Sequence, residues 1–197
     1  MNYLRVLNVL FSVVLLLIFS GLIFLTYIIA VIDTKSNGFF KQIRIGQFGK
    51  PFTIFKLKTM HPKTRRISGI GKFLRKSKLD ELPQLWNVLI GDMSFVGPRP
   101  DIIGYADQLL GEDRIIVNVK PGLTGLASIK YRNEEKILAQ KRDPLHYNDT
   151  IVWPDKVKIN KWYVKNRNLM MDAKILFYTL FPADFNCEVF MQKNSRT

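Results

Sequence analysis

Asp80 and Glu81 stand side by side in the stretch SKLDELPQLWN, residues 77–87. From Thr34 to Leu79 the chain carries thirteen Lys or Arg and no Asp or Glu, so the pair interrupts a long basic run. That arrangement suits phosphate chemistry. One ionised carboxylate can attack phosphorus or share a Mg²⁺ with a diphosphate, while nearby cations such as Arg75 and Lys78 balance phosphate charge. The ordinary explanation is a helix start, with Asp80 as N-cap and Glu81 complementing the dipole of the first turn. A helix start also lowers a carboxylate's pKa, so the same placement predicts an ionised Asp80 available as a nucleophile. Neighbouring residues on a helix point about 100° apart, which gives the two carboxylates different roles.

Arg99 lies between Pro98 and Pro100, each of which fixes its own φ near about −65°. A guanidinium on so restrained a backbone loses little further freedom when it forks onto a phosphate. A stiff surface turn with a solvated Arg is the plainer explanation. The loop PGLTG, residues 121–125, is a commonplace Gly-rich turn that could also approach a ligand. Trp153, Trp162 and Tyr163 could stack on a nucleobase, although aromatics at that spacing more often belong to a core.

These residues need elements to hold them. Val6 to Ile32 contains no charged side chain, and its 24-residue core from Val9 would make about 36 Å of helix, enough for a hydrocarbon layer of about 30 Å. The core is too long for the apolar part of a cleaved signal peptide. Only Arg5 and the amino terminus precede it, whereas thirteen cations follow, which predicts a cytoplasmic location for the rest of the chain. Anionic headgroups would then attract the basic segment 35–78 at about 1 kcal/mol per well-placed cation. Ser20–Gly21 falls at the midpoint, where glycine weakens a helix and serine can bend it. Two forms stay open: a straight span, and a bent segment that enters one leaflet and returns.

Beyond a turn at residues 34–38, alternation over 42–45 and 52–58 predicts a β-hairpin around Gly46–Lys50. Ile70 to Lys76 reads as a short basic helix, and residues from Asp80 as another, with Leu82, Leu85, Trp86 and Leu89 on one apolar face and Gly91 as its stop. A further helix is predicted over about 101–110. Met171 to Phe181 is apolar and aromatic, either a packing helix or one lying in the membrane interface.

Net charge is +14, which points to polyanions in general: nucleic acid, an anionic membrane, or phosphorylated small molecules. The single cysteine, Cys187, excludes an internal disulfide and fits a reducing compartment. With one Cys and two distant histidines, a structural zinc site is not expected, and any metal would be oxygen-ligated, Mg²⁺ above all. A membrane-tethered nucleic-acid binder is one rival to a phosphoryl-transfer enzyme, but residues 61–79 contain Phe73 as their one aromatic, and no nucleic-acid partner is expected. A non-catalytic membrane scaffold that recruits other enzymes is the other; it has no need of the carboxylate pair.

The chain also resembles a family. FxxQxRIGxxGKPFxIxKxxTM (Phe39–Met60), LRKSKLDELPQLWNVLIGDMSFVGPRP (Leu74–Pro100) and KPGLTGLA (Lys120–Ala127) are similar to the bacterial sugar transferases known as small monotopic phosphoglycosyl transferases. The resemblance covers nearly the whole chain. It implies transfer of a sugar-1-phosphate from a UDP-sugar to undecaprenyl phosphate with release of UMP, the first membrane step of a capsule, exopolysaccharide, O-antigen or glycoprotein glycan. It places the attacking aspartate, which becomes a phosphosugar ester with the help of Mg²⁺, on Asp80 and its partner on Glu81. The nucleotide-sugar arginine of the Pro-Arg-Pro motif falls on Arg99, and the arginine five residues before the aspartate on Arg75.

The implied architecture is α+β: a re-entrant membrane helix over 1–33, a cytoplasmic catalytic domain with interfacial amphipathic helices over 34–185, and a tail over 186–197. The implied location is the cytoplasmic face of the bacterial inner membrane, among membrane lipid and downstream glycosyltransferases. Two departures stand out. The family breaks its membrane helix at a Ser-Pro pair, where this chain has Ser20 and Gly21. Its Lys-Arg-x-x-Asp becomes Leu4-Arg5-Val6-Leu7-Asn8, which keeps the arginine alone.

Overall fold

The computed structural model describes residues 3–181 and 185–194. Helices and strands are mixed, and the chain divides into two compact units, residues 1–44 with 51–93 and residues 45–50 with 94–197.

The first unit opens with α1, Tyr3–Thr34. No proline or charge interrupts its apolar stretch, so the helix runs unbroken through Ser20–Gly21. There the Ser20 hydroxyl donates to the Leu17 carbonyl at 2.9 Å. Among the described residues it is the one helix long and apolar enough to cross a membrane. Leu17 is 71% exposed and Ile18 66%, an apolar surface that no protein covers. Ser12, Thr26 and Thr34 also turn their hydroxyls onto carbonyls three or four residues earlier, which satisfies them within the helix.

β1 (Phe39–Ile45) and β2 (Pro51–Leu57) pair as the predicted hairpin, its tip turning through Phe48 and Gly49 at positive φ. α2 covers Gly69–Lys76 and is capped by Ser68, whose Oγ accepts from the Gly71 N–H at 2.9 Å. Only glycine fits at 71, because a Cβ there would collide with the carbonyl oxygen of Thr59. α3 covers Gln84–Ile90 and stops at Gly91, whose φ of 98° is the left-handed turn expected of it. Its buried face is Gln84, Leu85, Asn87 and Val88. The predicted face included Trp86, which is instead 50% exposed. The buried face is turned to β2, where Asn87 bonds the backbone of Thr53 and Phe55, and Trp86 lies beside that contact and not in it.

The second unit is built on β3 (Ser94–Val96) and β4 (Gly122–Thr124), which pair in parallel with Ser94 opposite Gly122 and Val96 opposite Thr124. Their backbones touch. A Cβ on Gly122 or Gly125 would collide with the backbone of Gly97, so the Gly-Pro punctuation of both loops serves close approach. No α-helix forms over 101–110. A 3-10 turn, Ala106–Gln108, stands there instead, because Gly104 adopts a φ of 101° and its N–H is taken by Asp107 Oδ1 at 2.7 Å.

Six helices follow: α4 (Leu126–Lys130), α5 (Glu134–Ala139), α6 (Pro144–Tyr147), α7 (Trp153–Asn166), α8 (Leu169–Leu180) and α9 (Cys187–Asn194). Val96, Leu126, Ile129, Ile159, Met171 and Phe190 form the main core. Cys187 and Phe190 bring α9, within the stretch read as a tail, into that core. The aromatics read as core or nucleobase platform are core. Tyr163 is 2% exposed and donates to Asp172 Oδ1 at 2.7 Å, Trp162 packs edge-on against Phe190, and Trp153 against Tyr105. In α8, Met171 and Ile175 face the core while Met170, Phe177 and Leu180 are exposed.

Candidate active site

The carboxylate pair sits in a 3-10 turn, Leu79–Glu81, and not at the start of an α-helix. Pro83 explains the correction. It has no N–H to donate to residue 79, so the chain from Lys78 closes with tighter bonds instead: Glu81 N–H to Lys78 O at 3.1 Å and Leu82 N–H to Leu79 O at 3.3 Å. Lys78 enters the turn with φ 59°, exposed, in the left-handed region. Asp80 therefore caps nothing; its Oδ1 is buried with no hydrogen-bond partner.

Burial reverses the expected pKa shift. Asp80 is 8% exposed, and its carboxyl is pushed up from 3.8 to about 6, first by loss of water and then by the charge of Glu81. Lys56, Lys78 and Arg75 oppose the rise. Near neutral pH the group remains mostly ionised, in surroundings that favour losing its charge.

Each of those cations is held by a named element. Lys56, from β2, places its Nζ 3.0 Å from Glu81 Oε1, and both side chains are largely covered. Arg75, from the last turn of α2, is half-buried and donates from Nε to Thr59 Oγ1 at 2.8 Å. Asp80, Glu81, Arg75, Lys78, Lys56 and Thr59 thus belong to the first unit. Lys56 and Thr59 were not singled out in the sequence, though both stand in the Phe39–Met60 pattern; they act from residues 20 or so before the pair, and only the packing of β2 and α2 reveals it.

Arg99 belongs to the second unit. Pro98 and Pro100 are buried and Arg99 half-buried between them. Backbone bonds secure both flanks of this loop, from the Gly122 N–H to Pro98 O and from the Ile45 N–H to Asp101 O, each 2.8 Å. The restraint expected of the two prolines is thereby reinforced.

Among the described residues no cluster of three or more His, Cys, Asp or Glu could hold a metal by itself. Ser20 and Gly21, the candidate break, lie inside continuous α1.

A buried carboxylate among cations, on a chain with one long apolar helix, is an arrangement suited to phosphate chemistry near a membrane. The Bacterial sugar transferase family model matches residues 2–183, and the chain belongs to that family. It is 38% identical over 170 residues to the uncharacterized sugar transferase EpsL of Bacillus subtilis, across 80% of this chain and 76% of that one. It is 32% identical over 204 residues to the UDP-glucose:undecaprenyl-phosphate glucose-1-phosphate transferase of Klebsiella pneumoniae. It is likewise 32% identical over 205 residues to the undecaprenyl-phosphate galactose phosphotransferase of Salmonella typhimurium. Those matches take in 94% and 89% of this chain but span 41% and 39% of the two relatives.

Proposed function

We propose that this protein transfers a sugar-1-phosphate from a UDP-sugar to undecaprenyl phosphate, releasing UMP. The observation that carries the reading is the buried, unpartnered Oδ1 of Asp80, set among Lys56, Arg75 and Lys78. Asp80 attacks the β-phosphorus of the UDP-sugar. The new carboxylate O–P bond forms as the bond to the bridging oxygen breaks, and UMP leaves with that electron pair. A phosphate oxygen of undecaprenyl phosphate then attacks the same phosphorus and returns Asp80 to its free carboxylate. Dividing the reaction means that the soluble donor and the lipid acceptor never share the site.

Lys56 and Glu81 form a paired charge beside the nucleophile, and Arg75 and Lys78 meet the phosphate charge. Arg99, with Pro98 and Pro100 restraining it, binds the nucleotide sugar. Mg²⁺ fits this donor set, since it is commonly held by one or two carboxylates plus substrate phosphates and needs no all-protein cage. Asp80, whose Oδ1 is unpartnered, would hold it; when bound, the ion neutralises charge on the diphosphate. The test is a panel of UDP-sugars with undecaprenyl phosphate and Mg²⁺. UMP release with at least one sugar is expected, together with a phosphosugar adduct on intact protein when the acceptor is withheld. Absence of UMP with every sugar would sink the reading.

The apolar helix is proposed as a re-entrant anchor (residues 1–33) that leaves both ends, and the catalytic domain over 34–185 with its C-terminal stretch 186–197, on the cytoplasmic face of the inner membrane. Its two ends are tied to the same unit. The Arg5 guanidinium donates to the carbonyls of Val88 and Leu89 at 2.6 Å each, in the last turn of α3, while Asp33 Oδ2 accepts from Ser68 at 2.7 Å. A straight helix would hold residues 5 and 33 roughly 40 Å apart, on opposite sides of a hydrocarbon layer of about 30 Å. An Asn2→Cys variant in sealed vesicles tests this cleanly because Cys187 is buried. Labelling from the cytoplasmic side is expected, and labelling only from the outside refutes the hairpin. Downstream glycosyltransferases that extend a surface glycan are the expected consumers of the product.

A further inference from the structure

Asp80 Oδ1 shares its condition with one other atom. Among the described residues, the buried side-chain polar atoms without a hydrogen-bond partner are Asp80 Oδ1 and Gln84 Nε2. Gln84 is 2% exposed and opens α3, four residues after Asp80. Polar groups around this turn are otherwise engaged. Asn87, equally buried, bonds through both Nδ2 and Oδ1 to the backbone of Thr53 and Phe55. Lys56 is on Glu81 and Arg75 on Thr59. A buried carboxamide donor with no acceptor is destabilising, a cost that leucine or methionine at 84 would not incur. Such an atom in an otherwise satisfied region calls for an acceptor that arrives later.

The two unpartnered atoms have complementary needs. Gln84 Nε2 lacks an acceptor, and a phosphoryl group supplies oxygens that only accept. A carboxamide supplies that donor without adding another charge four residues from Asp80. We propose that Gln84 is a further catalytic residue, whose Nε2–H donates to a non-bridging oxygen of the transferred phosphoryl group while that group is being bonded to Asp80. This rests on the reading that Asp80 forms the phosphosugar ester. Gln84 keeps its protons throughout: the bond made is Asp80 O–P, the bond broken is P–O to UMP, and the carboxamide contributes a hydrogen bond to the oxygens on which charge accumulates.

The experiment is a single turnover with UDP-sugar, Mg²⁺ and no acceptor, following UMP and adduct mass in the full chain, for parent, Gln84→Met and Gln84→Asn. Methionine removes the donor at similar volume, and asparagine keeps a carboxamide but withdraws it by one methylene. Both are expected to form the adduct about 10²-fold more slowly than the parent, the effect of losing one such donor. Gln84→Met is expected to melt no lower than the parent, because it removes an unpaired group. Adduct formation at the parent rate in either variant overturns the proposal. So does a lowered melting temperature of Gln84→Met at unchanged rate, which would mark a structural hydrogen bond. A Gln84→Met protein that fails to fold leaves the decision to Gln84→Asn by the same rate criterion. Failure of the underlying reading looks different, because then the parent itself releases no UMP without acceptor and acquires no added mass.

Discussion

Asp80→Asn is expected to lower UMP release by about four orders of magnitude or more while making the substrate-free protein more stable. The loss follows from removing the oxygen that attacks phosphorus. The gain follows from burial. The Asp80 carboxyl is raised from 3.8 to about 6, so the folded protein holds this proton more tightly than the unfolded chain does. Its contribution to stability is therefore fully present below about pH 4 and is lost as pH rises through about 6. At pH 8 the ionised, buried side chain costs on the order of 2–3 kcal/mol, a cost that a neutral asparagine does not carry. Thermal melts of parent and variant should thus nearly coincide at pH 4 and separate as pH rises through about 6, with the variant higher. Parent activity should fall as pH is lowered through the same region, as the nucleophile is protonated. UMP release by Asp80→Asn near the parent level would end the assignment. Equal melting temperatures at pH 8 would mean that the carboxylate has water or a partner after all.

This trade between stability and chemistry was not legible in SKLDELPQLWN. The string reads as a capped helix, and a cap lowers an aspartate's pKa. Pro83 is what alters the outcome, by breaking the i to i−4 ladder and leaving Asp80 in a tight turn whose side chain points at no backbone N–H. The hairpin, α2 and the stop at Gly91 were legible because alternation, helical spacing and a left-handed glycine are local signals. Residues 101–110 were not, since Gly104 and Asp107 together form a local turn that competes with a helix. Asp80, Glu81, Arg75 and Arg99 could be named in advance because their motifs are contiguous. Lys56, Thr59, Gln84 and Asn87 could not. Each has a role only once β2, α2 and α3 are packed, and a lysine in a strand or an amide in a helix has nothing in its own neighbourhood to mark it.

Asn87→Leu is expected to cost more fold stability than any exposed change on the same helix, by about 2–5 kcal/mol. Asn87 is fully buried. Its Nδ2 donates to the Thr53 carbonyl at 2.7 Å and its Oδ1 accepts from the Phe55 N–H at 3.1 Å, so one side chain clamps the middle of β2 to α3. Leucine matches it in shape and removes both bonds, stranding a donor and an acceptor of β2 at about 1–3 kcal/mol each. Against a typical total of about 5–15 kcal/mol that is a large fraction. For a chain of this size it should lower the melting temperature by roughly 10 °C. Trp86→Ala, at the neighbouring half-exposed position, is the comparison and should move it far less. The consequence reaches the chemistry through Lys56, which follows Phe55 on the same strand and holds Glu81 at 3.0 Å. A strand that slides on α3 moves that ammonium relative to the pair, so Asn87→Leu should lose UMP release even at temperatures where it stays folded. An unchanged melt would mean that β2 is held in place by its apolar contacts, Ile54 and Leu57, and that the amide is dispensable.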